Sequence, residues 1–194
     1  MKKMIVVAGV AGSGKSYVGK EISRRLENCI YIDKDTQTRY IVDELLKCLG
    51  HSETDRESKD YIEKIRPLEY KCLIKEGLEN IELDKNCVLS APFIKEINDE
   101  SYFQDLNDEL EFEDATLKLI WVYTDENSAR KRIIDRNAVR DQNKINNWDQ
   151  YVQNVKHEKP SHLTIDYFII DNRLESEEAI IPQLEKAIEF IKKD

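Results

Sequence analysis

The sequence lacks several features that would point to common classes of protein. It has no apolar run long enough to form a membrane-spanning helix, and its four cysteines show no C-x-x-C pair or zinc-ligand spacing. Basic residues are outnumbered 30 to 39 by acidic ones, and the net charge of -9 argues against a broad surface for nucleic acid or anionic membrane. The start, residues 1–3, leads directly into an apolar run, so we expect no signal peptide and a cytoplasmic protein with reduced cysteines.

Glycine is also scarce, with six in 194 residues, yet three of them stand within Gly9–Ser16. This stretch fits the pattern G-x-x-x-x-G-K-[ST] of the phosphate-binding P-loop. An apolar, β-branched run at residues 4–8 predicts a strand before it, and a helical pattern follows it from residue 16 to residue 27. The alternative is a glycine-rich turn that binds nothing. The order of strand, loop and helix favours a nucleotide site.

The P-loop assigns roles to its own residues. Backbone N–H groups of the loop and of the following helix N-terminus point at bound phosphates. We expect Lys15 to reach the β- and γ-phosphates and the Ser16 hydroxyl to bind Mg²⁺. The predicted ligands are therefore a nucleoside triphosphate, with ATP favoured, and Mg²⁺, held by Gly9, Val10, Ala11, Gly12, Ser13, Gly14, Lys15, Ser16 and Tyr17.

Two carboxylates follow the second predicted strand, at residues 29–32. Asp33 and Asp35 stand where ligands bind in open parallel sheets, at the carboxyl end of a strand. Such a pair suits Mg²⁺ binding, here by Asp33 with Ser16, and removal of a proton from an attacking hydroxyl. Alternatively, Asp35 or Thr36 caps a helix predicted at residues 37–49, and both roles can hold at once.

The helix at residues 37–49 has an apolar set that predicts its core-facing side: Tyr40, Ile41, Leu45, Leu46 and Leu49. Arg39 stands on the same helix, four residues after Asp35. It either helps to hold the substrate or forms a simple i,i+4 ion pair.

A charged helical insertion, about residues 51–83, separates the second strand from the third and is expected to bind the phosphate acceptor. Its helical pattern begins near residue 59, and Pro67 should break it near Arg66. Candidate acceptor ligands are Arg56, Arg66 and Tyr70. The alternative is that these side chains belong to solvated helix faces.

The remaining strands are predicted at residues 87–91, 117–123 and 165–170. The first of these ends without an aspartate, so the usual Walker B carboxylate is missing. Residues 96–113 give no clear pattern and are predicted to be irregular. Asp125, just after the fourth strand, is interpreted as a helix cap rather than a Walker B acid.

Arginines recur every four residues in the next helix, at Arg132, Arg136 and Arg140. Like charges at this spacing repel unless an anion lies among them, which favours a lid at about residues 130–146 that closes on the triphosphate. The alternative is a solvated basic face paired with nearby aspartates. After the fifth strand, Asn172 suits a hydrogen bond to adenine, or equally a turn.

With these residues in hand, the chain resembles the small P-loop kinases. That group includes gluconate and shikimate kinases, chloramphenicol phosphotransferase, zeta toxins and polynucleotide 5′-hydroxyl kinase, and the most specific likeness is to bacterial AAA-family ATPases of kinase type. The resemblance is carried by residues 9–16, 33–36, 55–58, 66–70, 91–93 and 136–141.

The resemblance implies that Lys15 and Ser16 handle phosphate and Mg²⁺, and that Asp35, with Asp33 beside it, is the general base. It also implies that Arg132 and Arg136 are lid arginines, one near adenine and one on the phosphates.

We therefore expect one α/β domain over residues 1–194, a nucleoside-kinase-like P-loop NTPase with three α/β/α layers, about five parallel strands and a small helical lid. The predicted function is transfer of the γ-phosphoryl group of ATP to a hydroxyl of a small molecule, with Lys15, Asp33, Asp35 and Arg136 catalytic. The alternatives are a regulatory ATPase that acts through a protein partner and a nucleic-acid 5′-hydroxyl kinase, against which the acidity of the chain counts.

Overall fold

The structure, a computed structural model, describes residues 1–99, 101–138, 141–155, 159–160, 163, 165–176 and 178–193. The strands are β1 (Lys2–Ala8), β2 (Cys29–Asp33), β3 (Asn86–Ser90), β4 (Ala115–Tyr123) and β5 (Tyr167–Asp171). All the predicted strands are present, with ends shifted by one or two residues.

The strands form one parallel sheet in the order β2-β3-β1-β4-β5. Strand β1 lies at the centre, and its run Met4–Ala8 is fully buried, because a central strand is covered on both faces. The carboxyl ends of all strands therefore meet at one edge. The P-loop leaves β1 at this edge, and Asp33 ends β2 at the same edge.

Helices connect the strands and cover both faces of the sheet. They are α1 (Lys15–Arg25), α2 (Lys34–Cys48), α3 (Arg66–Glu82), α4 (Tyr102–Glu111), α5 (Glu126–Arg136), α6 (Gln142–Asn146), α7 (Trp148–Asn154) and α8 (Ile180–Lys192). One core packs α3 and α4 on the sheet through Leu73, Ile81 and Phe103. The other packs α1 and α8 through Ile22 and Leu184. The predicted three-layer α/β/α fold is confirmed.

The helix predicted to begin at residue 37 begins earlier, as α2 at Lys34. Its cap is Asp33, whose carboxylate accepts a hydrogen bond from the Thr36 backbone N–H at 3.2 Å, and not Asp35 or Thr36 as predicted. The predicted buried face of α2 is also wrong. Of its five apolar residues only Leu46 is buried, and the core-facing positions are Thr38, Val42 and Leu46, spaced four apart.

The helix of the insertion was predicted to kink or break near Arg66, and instead it continues from residue 59 to residue 82 through a π-helical turn. Tyr61–Ile65 forms a π-helical turn, and α3 starts directly after it with Pro67 in its first turn, where the missing N–H costs no hydrogen bond. The turn directs the buried side chains of Tyr61 and Ile65 against α2. In contrast to the prediction of an irregular segment, residues 102–111 form α4.

Asp125 caps α5 as predicted, because its carboxylate accepts a hydrogen bond from the Ser128 backbone N–H at 2.8 Å. Across the described ranges, none of the helices has the length and apolar character needed to cross a membrane.

The revised face of α2 can be tested with two neighbouring leucines. We expect Leu46→Ala, which empties a fully buried site, to lower the free energy of unfolding by about 2–5 kcal/mol. Leu45→Ala removes a side chain of a residue that is 39% exposed and should cost under about 1 kcal/mol. Urea unfolding of the two variants measures the difference, and equal losses would contradict the assigned face.

Candidate active site

The P-loop, Gly9–Ser16, joins β1 to α1 in a conformation that needs its glycines. At Gly12, φ is +79° and a Cβ would lie 2.6 Å from the carbonyl oxygen of Ala129 in α5. At Gly9, φ is +148° and a Cβ would lie 2.6 Å from the carbonyl oxygen of Val122 in β4. A side chain at either position would force the loop away from the sheet edge, so these glycines fix its path.

Two predicted nucleotide ligands contact the P-loop backbone itself. The Asn172 side-chain amide donates to the Ser13 carbonyl oxygen at 2.7 Å. Arg132 donates through Nη1 to the Gly12 carbonyl oxygen at 3.4 Å and to Thr124 Oγ1 at 3.2 Å. Burial lowers the pKa of Arg132. Both side chains therefore help to order the loop, while their contact with adenine stays a prediction.

A cavity of about 500 Å³ opens beside the P-loop. Its walls come from the P-loop, the start of α2, the insertion, the segment after β3, and the α5–α7 region. The predicted site residues that line it are Val10, Ala11, Lys15, Ser16, Asp33, Asp35, Arg56, Arg66, Tyr70 and Arg136. Those that do not line it are Gly9, Gly12, Ser13, Gly14, Tyr17, Arg39, Arg132 and Asn172, and Arg140 lies outside the described residues.

Asp33 joins the P-loop to the end of β2. Its carboxylate oxygen Oδ2 accepts hydrogen bonds from Ser16 Oγ at 3.2 Å and from the Tyr31 hydroxyl at 2.8 Å. Burial is the main cause of the raised pKa of Tyr31, which stays a neutral donor. Gly19 on α1 leaves room for this tyrosine, since a Cβ there would lie 2.7 Å from the ring. Asp33 is thus held next to the predicted Mg²⁺ ligand Ser16.

Asp35 has a different environment from Asp33. It lines the cavity with a side chain that is 41% exposed, and its Oδ1 lies 3.0 Å from the Lys34 ammonium. The two aspartates therefore differ in setting. Asp33 is fixed beside the P-loop by several hydrogen bonds, whereas Asp35 lines the cavity with a partly exposed side chain.

Lys34 connects Asp35 to a buried network that the sequence did not reveal. Its ammonium lies 2.8 Å from the carboxylate of Glu69, which is only 2% exposed. Glu69 also accepts hydrogen bonds from Thr38 Oγ1 at 2.6 Å and from the Tyr61 hydroxyl at 2.7 Å. Burial opposes the charge of Lys34, but Asp35 and Glu69 outweigh it and raise the pKa of Lys34 above its usual value.

The arginines of the insertion wall are held by carboxylates. Arg66 donates from both terminal nitrogens to Glu96, at 2.8 Å each. Arg56 donates to Asp43 at 2.8 Å. These ion pairs exclude the alternative in which both side chains belong to solvated helix faces.

Arg39 and Tyr70 are less well placed to contact an acceptor than predicted. Arg39 is exposed, and it pairs at 3.9 Å with Asp43 rather than with Asp35. Because it lies outside the cavity lining, the structure does not bring it to the predicted substrate site. Tyr70 lines the cavity but is nearly buried, and its hydroxyl accepts from the Phe93 backbone N–H at 3.1 Å.

Arg136 reaches the cavity from the end of α5. It donates from Nε and Nη2 to one carboxylate oxygen of Asp141, at 2.9 and 2.6 Å. Asp141, which precedes α6, is itself buried, so this pair joins the end of α5 to the start of α6. The pairing with Asp141 was the predicted alternative to a lid role, whereas the contact of Arg136 with phosphate stays a prediction.

A row of side-chain amides at residues 143–154 was not predicted from the sequence. Asn143, Asn147, Gln150 and Asn154 all line the cavity from α6 and α7. Their spacing of four, three and four residues marks one face of a helix, and this periodicity could have revealed them.

The buried network gives a stability prediction. Glu69→Gln should lower the free energy of unfolding by about 3 kcal/mol, because it removes a carboxylate partner from the buried Lys34 ammonium. The double variant Lys34→Met/Glu69→Gln should recover at least half of the loss. Glu79→Gln, an exposed position on the same helix, is the control. Urea unfolding measures all three, and a Glu69→Gln variant as stable as the control would contradict the network.

Solved structures share this fold. A protein from Chloroflexus aurantiacus j-10-fl, provisionally assigned as a kinase, is 12% identical with a TM-score of 0.69 over 98% of this chain and 99% of that one. A sugar kinase from Janibacter sp. HTCC2649 is 11% identical, with a TM-score of 0.60 over 99% and 96%. A deoxyadenosine kinase from M. mycoides, solved with dATP, is 16% identical, with a TM-score of 0.55 over 100% of both chains. These similarities show the fold.

A comparison with curated protein sequences gives no match. The family model described as AAA domain matches residues 4–157, which include the P-loop, both aspartates, the insertion and the amides of α6 and α7. Because this match covers well over half of the chain, the protein belongs to this AAA domain family, and its fold is the one found in small P-loop kinases.

Proposed function

We propose that the protein transfers the γ-phosphoryl group of ATP to a hydroxyl of a small molecule. The observation that carries this proposal is the shared cavity, in which Lys15 and Ser16 of the P-loop line the same space as Asp35 and the insertion. A site that only binds or hydrolyses ATP needs no such space for a second substrate. The alternatives of a regulatory ATPase and a nucleic-acid kinase are not favoured by any specific contact.

Ser16 and Asp33 suit a magnesium ion. Both offer oxygen ligands, and Ser16 Oγ lies 3.2 Å from the Asp33 carboxylate. The described residues contain no cluster of three or more His, Cys, Asp or Glu side chains that could hold a metal. Mg²⁺ is usually held by one or two carboxylates together with substrate phosphates, so this pair is sufficient. When bound, the ion would neutralise charge on the phosphates.

The end of β3 explains why Asp33 can serve this purpose. In the sheet, Asp33 of β2 is the register partner of Ser90, the last residue of β3. Ser90 stands where many P-loop proteins carry an acid, and it is short and buried. We infer that Asp33, from the neighbouring strand, supplies the carboxylate that β3 lacks.

The proposed reaction uses the remaining cavity residues. Asp35 accepts the proton of the acceptor hydroxyl, and the hydroxyl oxygen forms a bond to the γ-phosphorus of ATP. At the same time the bond between the γ-phosphorus and the bridging oxygen breaks, and ADP leaves with that oxygen. Lys15 and Arg136 offset the negative charge on the transferring group. Most of the rate enhancement would come from holding the two substrates in line.

The proposal assigns the acceptor to the insertion, about residues 51–83, and the closing lid to about residues 130–146 of a single domain. We place the reaction in the cytoplasm. The free cysteines Cys29, Cys48, Cys72 and Cys87 fit a reducing compartment.

Substitution of Asp35 and substitution of Asp33 should have different effects on the activity. Asp35→Asn should lower acceptor-stimulated kcat about 10²- to 10⁴-fold, with ATP affinity unchanged within about threefold, because it removes the base. Asp33→Asn should raise the Mg²⁺ concentration for half-maximal activity about tenfold or more. Asparagine caps helices about as well as aspartate, so this change spares α2.

ADP release measured over a panel of hydroxyl acceptors, with Mg²⁺ varied, tests both variants. Asp105→Asn, an exposed residue on α4, is the control. An Asp35→Asn enzyme that retains the full acceptor-stimulated rate would exclude Asp35 as the base.

A further inference from the structure

The cavity's charges are paired within the protein. Among the described residues on the acceptor side, Arg66 is held by Glu96, Arg56 by Asp43, and Lys144 of the lid lies 3.7 Å from Glu57 of the insertion. Closer to the P-loop, Lys34 pairs with Glu69 and Arg136 with Asp141. Lys95 lies exposed at the rim. Since each pair is close to neutral, the wall offers little net attraction for an anionic acceptor.

The two wall arginines, which line the cavity, are also packed against aromatic rings. The Arg66 guanidinium lies 4.2 Å above the Tyr70 ring, and the Arg56 guanidinium lies 5.7 Å from the Tyr61 ring. Arg56 Nη1 is buried, out of contact with solvent, and has no hydrogen-bond partner among the described residues. A ligand could reach this nitrogen only if the side chain left its place between ring and carboxylate.

Residues 143–154 supply neutral hydrogen-bonding groups instead. Asn143 of α6, Asn147 between the helices, and Gln150 and Asn154 of α7 line the cavity, and this row is called the amide face below. Asn147 Nδ2 donates to Asn143 Oδ1 at 2.7 Å, which orients both amides. Each amide can donate and accept, so the amide face suits hydroxyl groups, which do the same.

Apolar side chains complete the walls. Ile62 and Ile94 contribute from the insertion side, and Tyr151 and Val155 from the lid side. An uncharged ring with several hydroxyl groups would contact these surfaces with its faces and the amide face with its edges. A phosphate or carboxylate on the acceptor would be repelled by Asp35, Glu57 and the triphosphate, whereas the attraction of Arg56, Arg66 and Lys144 is weakened because each is already paired with a carboxylate.

We infer that the phosphate acceptor is a neutral, hydroxyl-rich small molecule, bound between the amide face and the insertion. This inference rests on the proposed function and specifies its substrate class. Sugars, polyols and nucleosides share this chemistry.

Matched pairs of acceptors test the inference. ADP release with Mg²⁺ and ATP is compared for neutral compounds and their charged counterparts: glucose with gluconate and glucose 6-phosphate, inositol with inositol phosphate, and adenosine with AMP. The neutral member of the responding set should have a kcat/KM at least about tenfold above its charged partners. The responding set also tells a sugar or polyol from a nucleoside.

The outcomes separate this inference from the proposed function. Preference for a charged member would overturn the neutral class and leave the kinase assignment standing. Turnover that no acceptor of either kind changes would contradict the kinase assignment, and the inference would fall with it.

Variants of the amide face give an independent test. Gln150→Ala and Asn154→Ala should each raise the KM for the neutral acceptor about tenfold, with ATP affinity unchanged, because each removes hydrogen bonds to the acceptor. Gln153→Ala is the matched control, since Gln153 is exposed on the same helix and does not line the cavity. Retained ATP binding shows that each variant is folded. Equal acceptor KM values in all three variants would contradict the role of the amide face.

Discussion

The hydrogen bond from Ser16 Oγ to the Asp33 carboxylate joins the two halves of the site. The P-loop follows β1 and Asp33 ends β2, but β3 lies between these strands in the sheet. Ser90, the register partner of Asp33, ends β3 at this edge, and Tyr31 and the Thr36 backbone hold the Asp33 carboxylate in place. With Asp33 fixed in this way, α2 begins at once, and Asp35, two residues later, lines the cavity.

Local signals predicted much of the framework. Apolar, β-branched runs located the five strands, and the P-loop pattern located the turn after β1, because both depend on residues adjacent in the chain. Asp33 and Asp35 could be assigned to the sheet edge for the same reason. In the structure both line the cavity beside Lys15 and Ser16.

Features that depend on distant residues could not be predicted. Lys34 is a charged residue that is buried because Glu69, 35 positions away, balances it. The buried face of α2 was predicted wrongly because the helix has more apolar residues than positions that face the core. Tyr40, one of the residues predicted to be buried, is 79% exposed. The sequence suggests Arg56 and Arg66 as substrate ligands, yet in the structure Arg56 is paired with Asp43 and Arg66 with Glu96. The pairing of such groups is set by how the insertion packs on α2 and on the segment after β3.

The destination of the γ-phosphoryl group tests the central claim most directly. ATP labelled in its γ-phosphate should yield labelled acceptor ester and ADP in equal amounts when the right hydroxyl compound is present. A label that appears only as inorganic phosphate, at a rate that no acceptor changes, would contradict the account and indicate a hydrolase.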